Sequence, residues 1–246
     1  MKNIFKKYSI EELTQTIKNI ISKHCLNMEK EDIYLVFNAI YKNPNLAPNI
    51  RKSDEKTYEE ILYSWVKKFY NGYKNRISKR KSNYPSTVPD KIVYTIIKAR
   101  LSKLNEIQLK TINDSHRLAM SSENILGLLL EEFLSIHLKK FGWQCAWGES
   151  IKSVDFVNKN FELLQIKNRS NSENSSSSKV REGTEIKKWF RVTAQTGDTQ
   201  WCILNNMINE SCELSEVLFE NFIKETLRTN PEALAIEENN YWLNGK

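Results

Sequence analysis

The sequence predicts a mixed α/β (α+β) fold with a helical amino-terminal region, a core of short strands and a helical carboxy-terminal tail. Apolar residues recur at helical spacing through the first 120 of the 246 residues. Short apolar and aromatic segments separated by turn residues follow residue 142, which is the pattern of strands. An amphipathic segment precedes Pro231 near the end. We therefore expect two regions, residues 1–120 and residues 121–246.

The amino-terminal region is predicted to form several helices. Ser9 and Glu12 have the spacing of a capping box, which marks the start of the first long helix. The second helix is expected to end before Pro44. After a polar connector, a third helix is indicated by apolar and aromatic residues at every fourth position: Ile61, Trp65, Phe69 and Tyr73. One or two more helices should follow before residue 120.

The core is predicted to begin with a helix that starts at Ser121 or Ser122 and stops at Gly142. A long polar segment after residue 167 is expected to be a loop. Strands are expected in five short segments: WQCAWGES, SVDFV, FELLQIKN, IKKWFRVTAQTG and TQWCILNN. A final helix is expected in CELSEVLFENFIKETLRTN.

The charge is unevenly distributed along the chain. The formal net charge is +7, and residues 1–120 alone carry 23 Lys and Arg against 12 Asp and Glu. A basic surface suits a polyanionic partner, because neutralised phosphates supply most non-specific affinity for DNA. Many basic proteins never bind nucleic acid, so the charge favours DNA binding without deciding it.

Several function classes find little support. No apolar stretch approaches the roughly 20 residues that span a bilayer, and the first residues lack the pattern of a signal peptide. We expect a cytoplasmic protein with no membrane partner. The four cysteines and three histidines are scattered, without zinc-site spacing or a disulfide framework. The absence of a GxGxxG or P-loop motif predicts no nucleotide cofactor.

Three side chains on a predicted hairpin suggest metal-dependent phosphodiester cleavage. Asp155 lies in the short apolar segment SVDFV, and Gln165 and Lys167 lie on one face of the next strand, with Ile166 on the other. A hard divalent cation needs oxygen ligands, which Asp155 and Gln165 can supply. Lys167 would then lie near the attacking water or the scissile phosphate. The alternative is that Asp155 belongs to a turn and Lys167 is a solvated edge residue.

The helix before the strands adds a carboxylate. Two adjacent glutamates, Glu131 and Glu132, interrupt an otherwise apolar helix. One would face solvent, and the other can be directed at the metal site. Its spacing from Gly127 and Gly142 favours Glu131, with Glu132 as the alternative.

The polar segment after Lys167 has the composition of a DNA-reading loop. Arg pairs with guanine, Asn or Gln pairs with adenine, and Ser contacts bases or phosphates. A serine-rich segment is more often a flexible linker. However, long loops inside a compact domain are usually functional.

The run LLQIKNRSNSENSSSSKVREGTEIKKWFRVTAQTG, with SENILGLLLEE and SVDF before it, resembles the SinI/AvaII family of Type II restriction endonucleases. The resemblance is strongest over residues 120–205. It implies the PD-(D/E)XK restriction-endonuclease-like fold, a Mg²⁺ requirement and cleavage of double-stranded DNA at a GGWCC- or GGNCC-type palindrome. It also implies a homodimer and products with 5′-phosphate and 3′-hydroxyl ends.

The resemblance also implies roles for residues. Asp155 would bind the metal and Lys167 would be the catalytic lysine, whereas Gln165 stands where the superfamily has Asp or Glu. Glu131 would compensate for that neutral ligand. The residues expected to contact bases or backbone are Arg169, Asn171, Ser175, Lys179 and Arg181. Those expected to hold phosphates are Lys187, Lys188 and Arg191.

Two alternatives stay open. A structure-selective or repair nuclease of the same fold would cut branched or nicked DNA without sequence preference. A non-enzymatic DNA-binding protein would bind in EDTA and never cleave in Mg²⁺, with Gln165 marking a degenerate site.

Overall fold

The computed structural model describes residues 1–50, 57–170 and 185–244 and has a mixed α+β fold, as the sequence predicts. The helices before the sheet are α1 (Lys2–Phe5), α2 (Ile10–Lys23), α3 (Lys30–Lys42), α4 (Tyr58–Lys74), α5 (Lys91–Arg100) and α6 (Glu106–Leu138). The strands are β1 (Trp143–Cys145), β2 (Phe156–Asn158), β3 (Leu163–Arg169) and β4 (Ile186–Val192). The helices after the sheet are α7 (Trp201–Ile208), α8 (Glu216–Thr229) and α9 (Tyr241–Asn244).

The chain divides into two compact units, each made of two segments. The first unit comprises Met1–Arg76 and Leu130–Phe222 and contains the whole sheet. The second comprises Ile77–Leu129 and Ile223–Lys246. Residue 120, the predicted boundary, lies within α6.

Helix α6 differs from the prediction at its amino-terminal end. It begins at Glu106, so the prediction of a separate helix that starts at Ser121 or Ser122 is wrong. The cause is a reciprocal cap upstream: Gln108 N–H donates to Asn105 Oδ1 at 2.9 Å, and Asn105 N–H donates to Gln108 Oε1 at 3.0 Å. Ser122 instead donates its hydroxyl to the Leu118 carbonyl within the helix.

The predicted end of this helical run is confirmed. A single turn of 3₁₀-helix, Lys139–Phe141, follows α6 and stops at Gly142, whose φ is +79°. Glycine adopts this left-handed conformation without steric cost, which is why it ends helices so often. The chain then enters β1 directly.

The sheet has the order β1-β2-β3-β4. β2 and β3 form the predicted antiparallel hairpin, with Phe156 opposite Leu164 and Val157 opposite Leu163. β3 and β4 are parallel, and Ile166 pairs with Trp189. The order places β3 between β2 and β4, so that its backbone is paired on both edges.

The predicted strand character of TQWCILNN is wrong, because the segment forms helix α7. Trp201 and Leu204 are buried and lie three residues apart, which places them on one face of a helix. The Trp201 ring packs against Phe133 and Phe219, with centroid distances of 5.8 and 6.0 Å. The segment's β-propensity is therefore overridden by burial of an aromatic cluster.

Two further expectations from the sequence, the first capping box and the closing helix, are confirmed. Ser9 and Glu12 form the capping box of α2, and α8 is the expected closing helix before Pro231. All four cysteines are free. Within the described ranges, no helix is both long and apolar enough to cross a bilayer.

Candidate active site

Asp155 is held by backbone hydrogen bonds where the hairpin begins. It directly precedes β2, and its N–H donates to the Leu164 carbonyl at 2.9 Å. The Ala146 N–H donates to the Asp155 carbonyl at 2.8 Å, so both backbone groups of this residue are paired. Its side chain accepts a hydrogen bond at Oδ2 from the Ile166 N–H, at 2.7 Å. That bond holds the carboxylate against β3.

β3 carries the other two predicted residues of the hairpin. Gln165 is only 5% exposed and pairs in register with Lys188 of β4. Lys167 is half-buried and pairs with Phe190. Residues two apart in a strand lie on one face, so Gln165 and Lys167 share the face predicted for them.

The Asp155 carboxyl group interacts electrostatically with Lys167. Burial raises the pKa of Asp155 to about 6, against the opposing effects of the Ile166 N–H and the Lys167 charge. The charge of Glu149 raises this pKa further. Asp155 is therefore a carboxylate that gains from a nearby cation.

Glu131, on α6, faces the same region. Burial and the charge of Asp155 raise the pKa of Glu131 to about 7, with smaller increases from Glu132 and Glu149. A hydrogen bond from the Cys145 thiol to Glu131 Oε1, at 3.4 Å, opposes this shift. The influence of Asp155 indicates that the two carboxyl groups are near neighbours.

Glu132 has a different environment. It is 3% exposed, and its Oε1 lies 3.2 Å from Arg76 Nε. Arg76 in turn stacks over the Tyr73 ring at 4.5 Å and donates to the Tyr73 carbonyl. Glu132 therefore belongs to a buried ion pair that joins α6 to the end of α4, while Glu131 is the glutamate directed at Asp155.

Glu149 is a residue that the sequence did not single out. It ends a 3₁₀ turn, Trp147–Glu149, and its charge raises the pKa of both Asp155 and Glu131. Its Oε2 lies 3.5 Å from Lys68 Nζ on α4. The sequence signal that could have found this contact is Gly72, in the last turn of α4, because a glycine inside a helix often marks close backbone approach.

The turn that carries Glu149 is positioned by two glycines. A Cβ at Gly72 would lie 2.3 Å from the Gly148 nitrogen, and a Cβ at Gly148 would lie 2.3 Å from the Lys68 carbonyl oxygen. Gly148 also has a φ of +68°. α4 and the turn can therefore approach only because both residues lack a side chain.

Gly72→Ala should destabilise the fold by about 2–4 kcal/mol, because backbone atoms must move apart to admit the methyl group. Denaturant unfolding with an unchanged m value would measure it. The matched control is Gly127→Ala in α6, where a Cβ has no neighbour within 4 Å. That variant should gain about 0.5–1 kcal/mol. A Gly72→Ala variant as stable as the native chain would contradict the close-approach account.

The donor set suits a hard divalent cation. Asp155 and Glu131 supply carboxylate oxygens, and Gln165 supplies an amide oxygen, all of the type that Mg²⁺ prefers. The pKa values of both carboxyl groups are raised chiefly by burial, which disfavours their charged forms, and a bound cation would offset that cost. Among the residues that the structure describes, no three His, Cys, Asp or Glu side chains form a ready-made metal cluster. A cation held here would therefore be bound by two carboxylates and a neutral amide.

Only some of the residues predicted to contact DNA lie within the described part of the chain. Asn171, Ser175, Lys179 and Arg181 lie outside the described residues. Arg169 is exposed at the end of β3. Lys187 Nζ lies 2.5 Å from Glu162 Oε1, and Lys188 lies over the Phe190 ring at 5.0 Å. Their contacts with DNA stay predictions.

Arg191 has internal partners. It forms an ion pair with Glu216 and donates from Nε to Asn168 Oδ1 at 2.9 Å. Glu216 also accepts from Trp201 Nε1 at 2.7 Å. Arg191 thus ties β4 to β3 and α8, and a phosphate contact would have to compete with these bonds.

The chain matches the SinI restriction endonuclease family over residues 15–229. It is 38% identical over 185 residues to the Type II restriction enzyme Eco47I of Escherichia coli, a match covering 73% of this chain and 78% of Eco47I. It is 42% identical over 154 residues to the Type II restriction enzyme SinI of Salmonella infantis, covering 61% and 66% of the two chains. The chain therefore belongs to the SinI restriction endonuclease family of Type II restriction enzymes.

Proposed function

We propose that this enzyme hydrolyses double-stranded DNA at a short palindrome of the GGWCC or GGNCC type, with Mg²⁺ as cofactor, in the cytoplasm. The products would carry 5′-phosphate and 3′-hydroxyl ends. The observation that supports the proposal is that Asp155, at the start of the hairpin, interacts electrostatically with Lys167 of β3 and with Glu131 of α6, in a chain of this family.

Three residues would hold the metal: Asp155, Glu131 and Gln165. Bound there, Mg²⁺ would supply an activated water and neutralise charge on the phosphate. The Ile166 N–H keeps Asp155 oriented toward that position through its 2.7 Å hydrogen bond. Preorganised ligands of this kind need little rearrangement during reaction.

Lys167 would act on the scissile phosphate. Its ammonium group is close enough to Asp155 to lower that residue's pKa. A cation in this position stabilises the negative charge that develops on the phosphate oxygens, or orients the attacking water. Half-burial of the lysine strengthens this interaction, because the local dielectric is lower than in water.

A palindrome has twofold symmetry, and a homodimer reads it with one active site for each strand. In this proposal Arg169, at the exposed end of β3, begins the DNA-contacting surface, and the polar segment that follows continues it. The sequence-specific assignment is favoured over a structure-selective nuclease because the chain belongs to a restriction endonuclease family. Family membership equally disfavours a non-enzymatic DNA-binding protein.

The specificity can be tested with synthetic duplexes that differ at one position. A panel of two duplexes, one with GGACC (GGTCC on the opposite strand) and one with GGGCC (GGCCC on the opposite strand), plus a scrambled duplex, should be incubated with the enzyme and Mg²⁺. Cleavage of the first alone indicates GGWCC, and cleavage of both indicates GGNCC. Equal cleavage of the scrambled duplex would reject a palindromic site.

Arg181→Ala should lower discrimination between cognate and scrambled duplexes by about 10–100-fold, because a bidentate arginine–guanine pair contributes about 1–3 kcal/mol. Equilibrium binding to both duplexes at fixed salt concentration measures this. Lys152→Ala, at an exposed position before the hairpin, is the control. An equal loss on both duplexes would make Arg181 a phosphate contact.

A further inference from the structure

The parallel pairing of β3 with β4 divides the side chains of β4 between the two faces of the sheet. Gln165 lies opposite Lys188, and Lys167 lies opposite Phe190. Residues paired in this way point to the same side of a sheet, and their side chains start about 5 Å apart. Lys188 and Phe190 therefore share one face of the sheet with Gln165 and Lys167 (the Lys167 face).

The opposite face of β4 carries the other two cations of the strand. Side chains alternate along a strand, so Lys187 and Arg191 lie on the same side as Trp189. The Trp189 ring is buried, packs against Trp201 with a centroid distance of 5.1 Å, and donates from Nε1 to the Gln200 carbonyl at 2.8 Å. This side of β4 is therefore the one that packs against the core.

The two cations on the core side have carboxylate partners within the chain. Lys187 Nζ lies 2.5 Å from Glu162 Oε1, and this hydrogen bond lowers the pKa of Glu162. Arg191 pairs with Glu216 and donates to Asn168 of β3. Phosphate binding at either cation would have to displace a carboxylate of the chain itself. The sequence implied one role for all three cations of β4, whereas the sheet separates these two from Lys188.

Lys188 lies instead on the Lys167 face and is half-buried there. Its Nζ lies 5.0 Å from the centroid of the Phe190 ring, a cation–π contact in which the lysine keeps its charge. From the spacing and rise of the strands, the side chains of Lys167 and Lys188 start roughly 8 Å apart. Two positive charges at this separation repel each other, and a row of phosphates that passes over both relieves the repulsion. The Lys167 face therefore favours a polyanion.

We propose that Lys188 binds a backbone phosphate beside the scissile one, and that Lys187 and Arg191 bind none. The inference rests on the proposed function, because it takes Lys167 to act at the scissile phosphate. Arg169 lies two residues beyond Lys167 on the same face and continues the row of cations. The DNA backbone would then cross β4 and β3 along this row.

The salt dependence of DNA binding tests the contact, because it counts the phosphates that a protein neutralises. Binding to a duplex carrying GGACC should be measured in EDTA over a range of salt concentrations. Lys188→Met keeps the apolar stem beside Phe190 but removes the charge. It should bind about 10-fold more weakly and reduce the slope of log K against log salt by about 1. Lys187→Met, the matched control on the opposite face, should keep the native slope. An unchanged slope in Lys188→Met, or an equal reduction in both variants, would overturn the proposal.

Duplexes with a single neutral methylphosphonate locate the contact on the DNA. Beside the scissile phosphate, this change should weaken binding of the native chain about 10-fold, but that of Lys188→Met by less than about 2-fold, because the partner charge is already gone. Equal losses in both proteins at every position would overturn the assignment. Both tests are made without Mg²⁺, so neither needs cleavage. If Lys188→Met behaves as expected but the native chain cuts no duplex in Mg²⁺, the proposed function fails and the phosphate contact stands.

Discussion

Lys167→Ala is expected to lower the rate of DNA cleavage by at least about 10³-fold while leaving specific binding within a few-fold of the native enzyme. The variant loses the cation beside Asp155 but keeps the carboxylates, the hairpin backbone and the polar segment. Single-turnover cleavage in Mg²⁺ and equilibrium binding in EDTA separate the two effects.

The control for this variant is Lys152→Ala, which removes an exposed lysine three residues before Asp155. It should cleave at the native rate, so that a general loss of positive charge cannot explain the result. Full activity in Lys167→Ala would remove that lysine from the site. Parallel losses of binding and cleavage would make it a DNA-binding residue.

Glu131→Gln should abolish most cleavage and yet stabilise the protein when no metal is present. The pKa of Glu131 is raised to about 7 from an ordinary value of 4.5. The folded state therefore holds the proton more tightly than the unfolded state, and native stability falls as pH rises from 4.5 through 7. At pH 8 the glutamine variant avoids this cost and should be more stable by about 1–3 kcal/mol. Below pH 4.5 the advantage should disappear.

The neighbouring Glu132 supplies a matched control, for which the expected change in stability has the opposite sign. Glu132→Gln breaks the buried pair with Arg76 and should destabilise the fold by about 1–3 kcal/mol. Its cleavage rate per folded molecule should stay near the native value. Urea unfolding in EDTA at pH 8 and at pH 4.5, with cleavage assays at pH 8, measures both variants. If Glu132→Gln instead lost cleavage and gained stability, while Glu131→Gln kept cleavage, the metal-facing role would belong to Glu132.

Local sequence patterns were sufficient for the parts of the fold that depend on neighbouring residues. The Ser9–Glu12 capping box, the stop at Gly142 and the β2–β3 hairpin all follow from short-range rules and are present. The segment TQWCILNN was misassigned because its helix depends on ring packing with Phe133 and Phe219, which are distant in sequence.

In the candidate site, too, features set by neighbouring residues could be predicted, whereas features set by distant residues could not. The spacing of Gln165 and Lys167 on one strand predicts their common face. The sequence alone does not decide which of Glu131 and Glu132 faces the site. The decision depends on the ion pair between Glu132 and Arg76, which lies 56 positions earlier in the chain. Glu149 was missed for a related reason. Its position depends on the approach of α4 through Gly72 and Gly148.

Gln165 distinguishes this site from a cage of three acids. It is buried on β3, so a charged residue there would add a third carboxylate to a region where Asp155 and Glu131 already have raised pKa values. A neutral amide oxygen can still bind a hard cation, and it spares the metal-free protein a further buried charge. If these residues hold the metal as proposed, the glutamine should favour folding without metal and lower the affinity for it.

The most direct test of the central claim is digestion of unmethylated phage DNA by the purified enzyme in Mg²⁺, with an EDTA control and sequencing of the fragment ends. The account predicts discrete fragments in Mg²⁺ alone, with 5′-phosphate ends that all derive from one palindrome of the GGWCC or GGNCC type. Smeared products without a common sequence, or cutting that persists in EDTA, would contradict it.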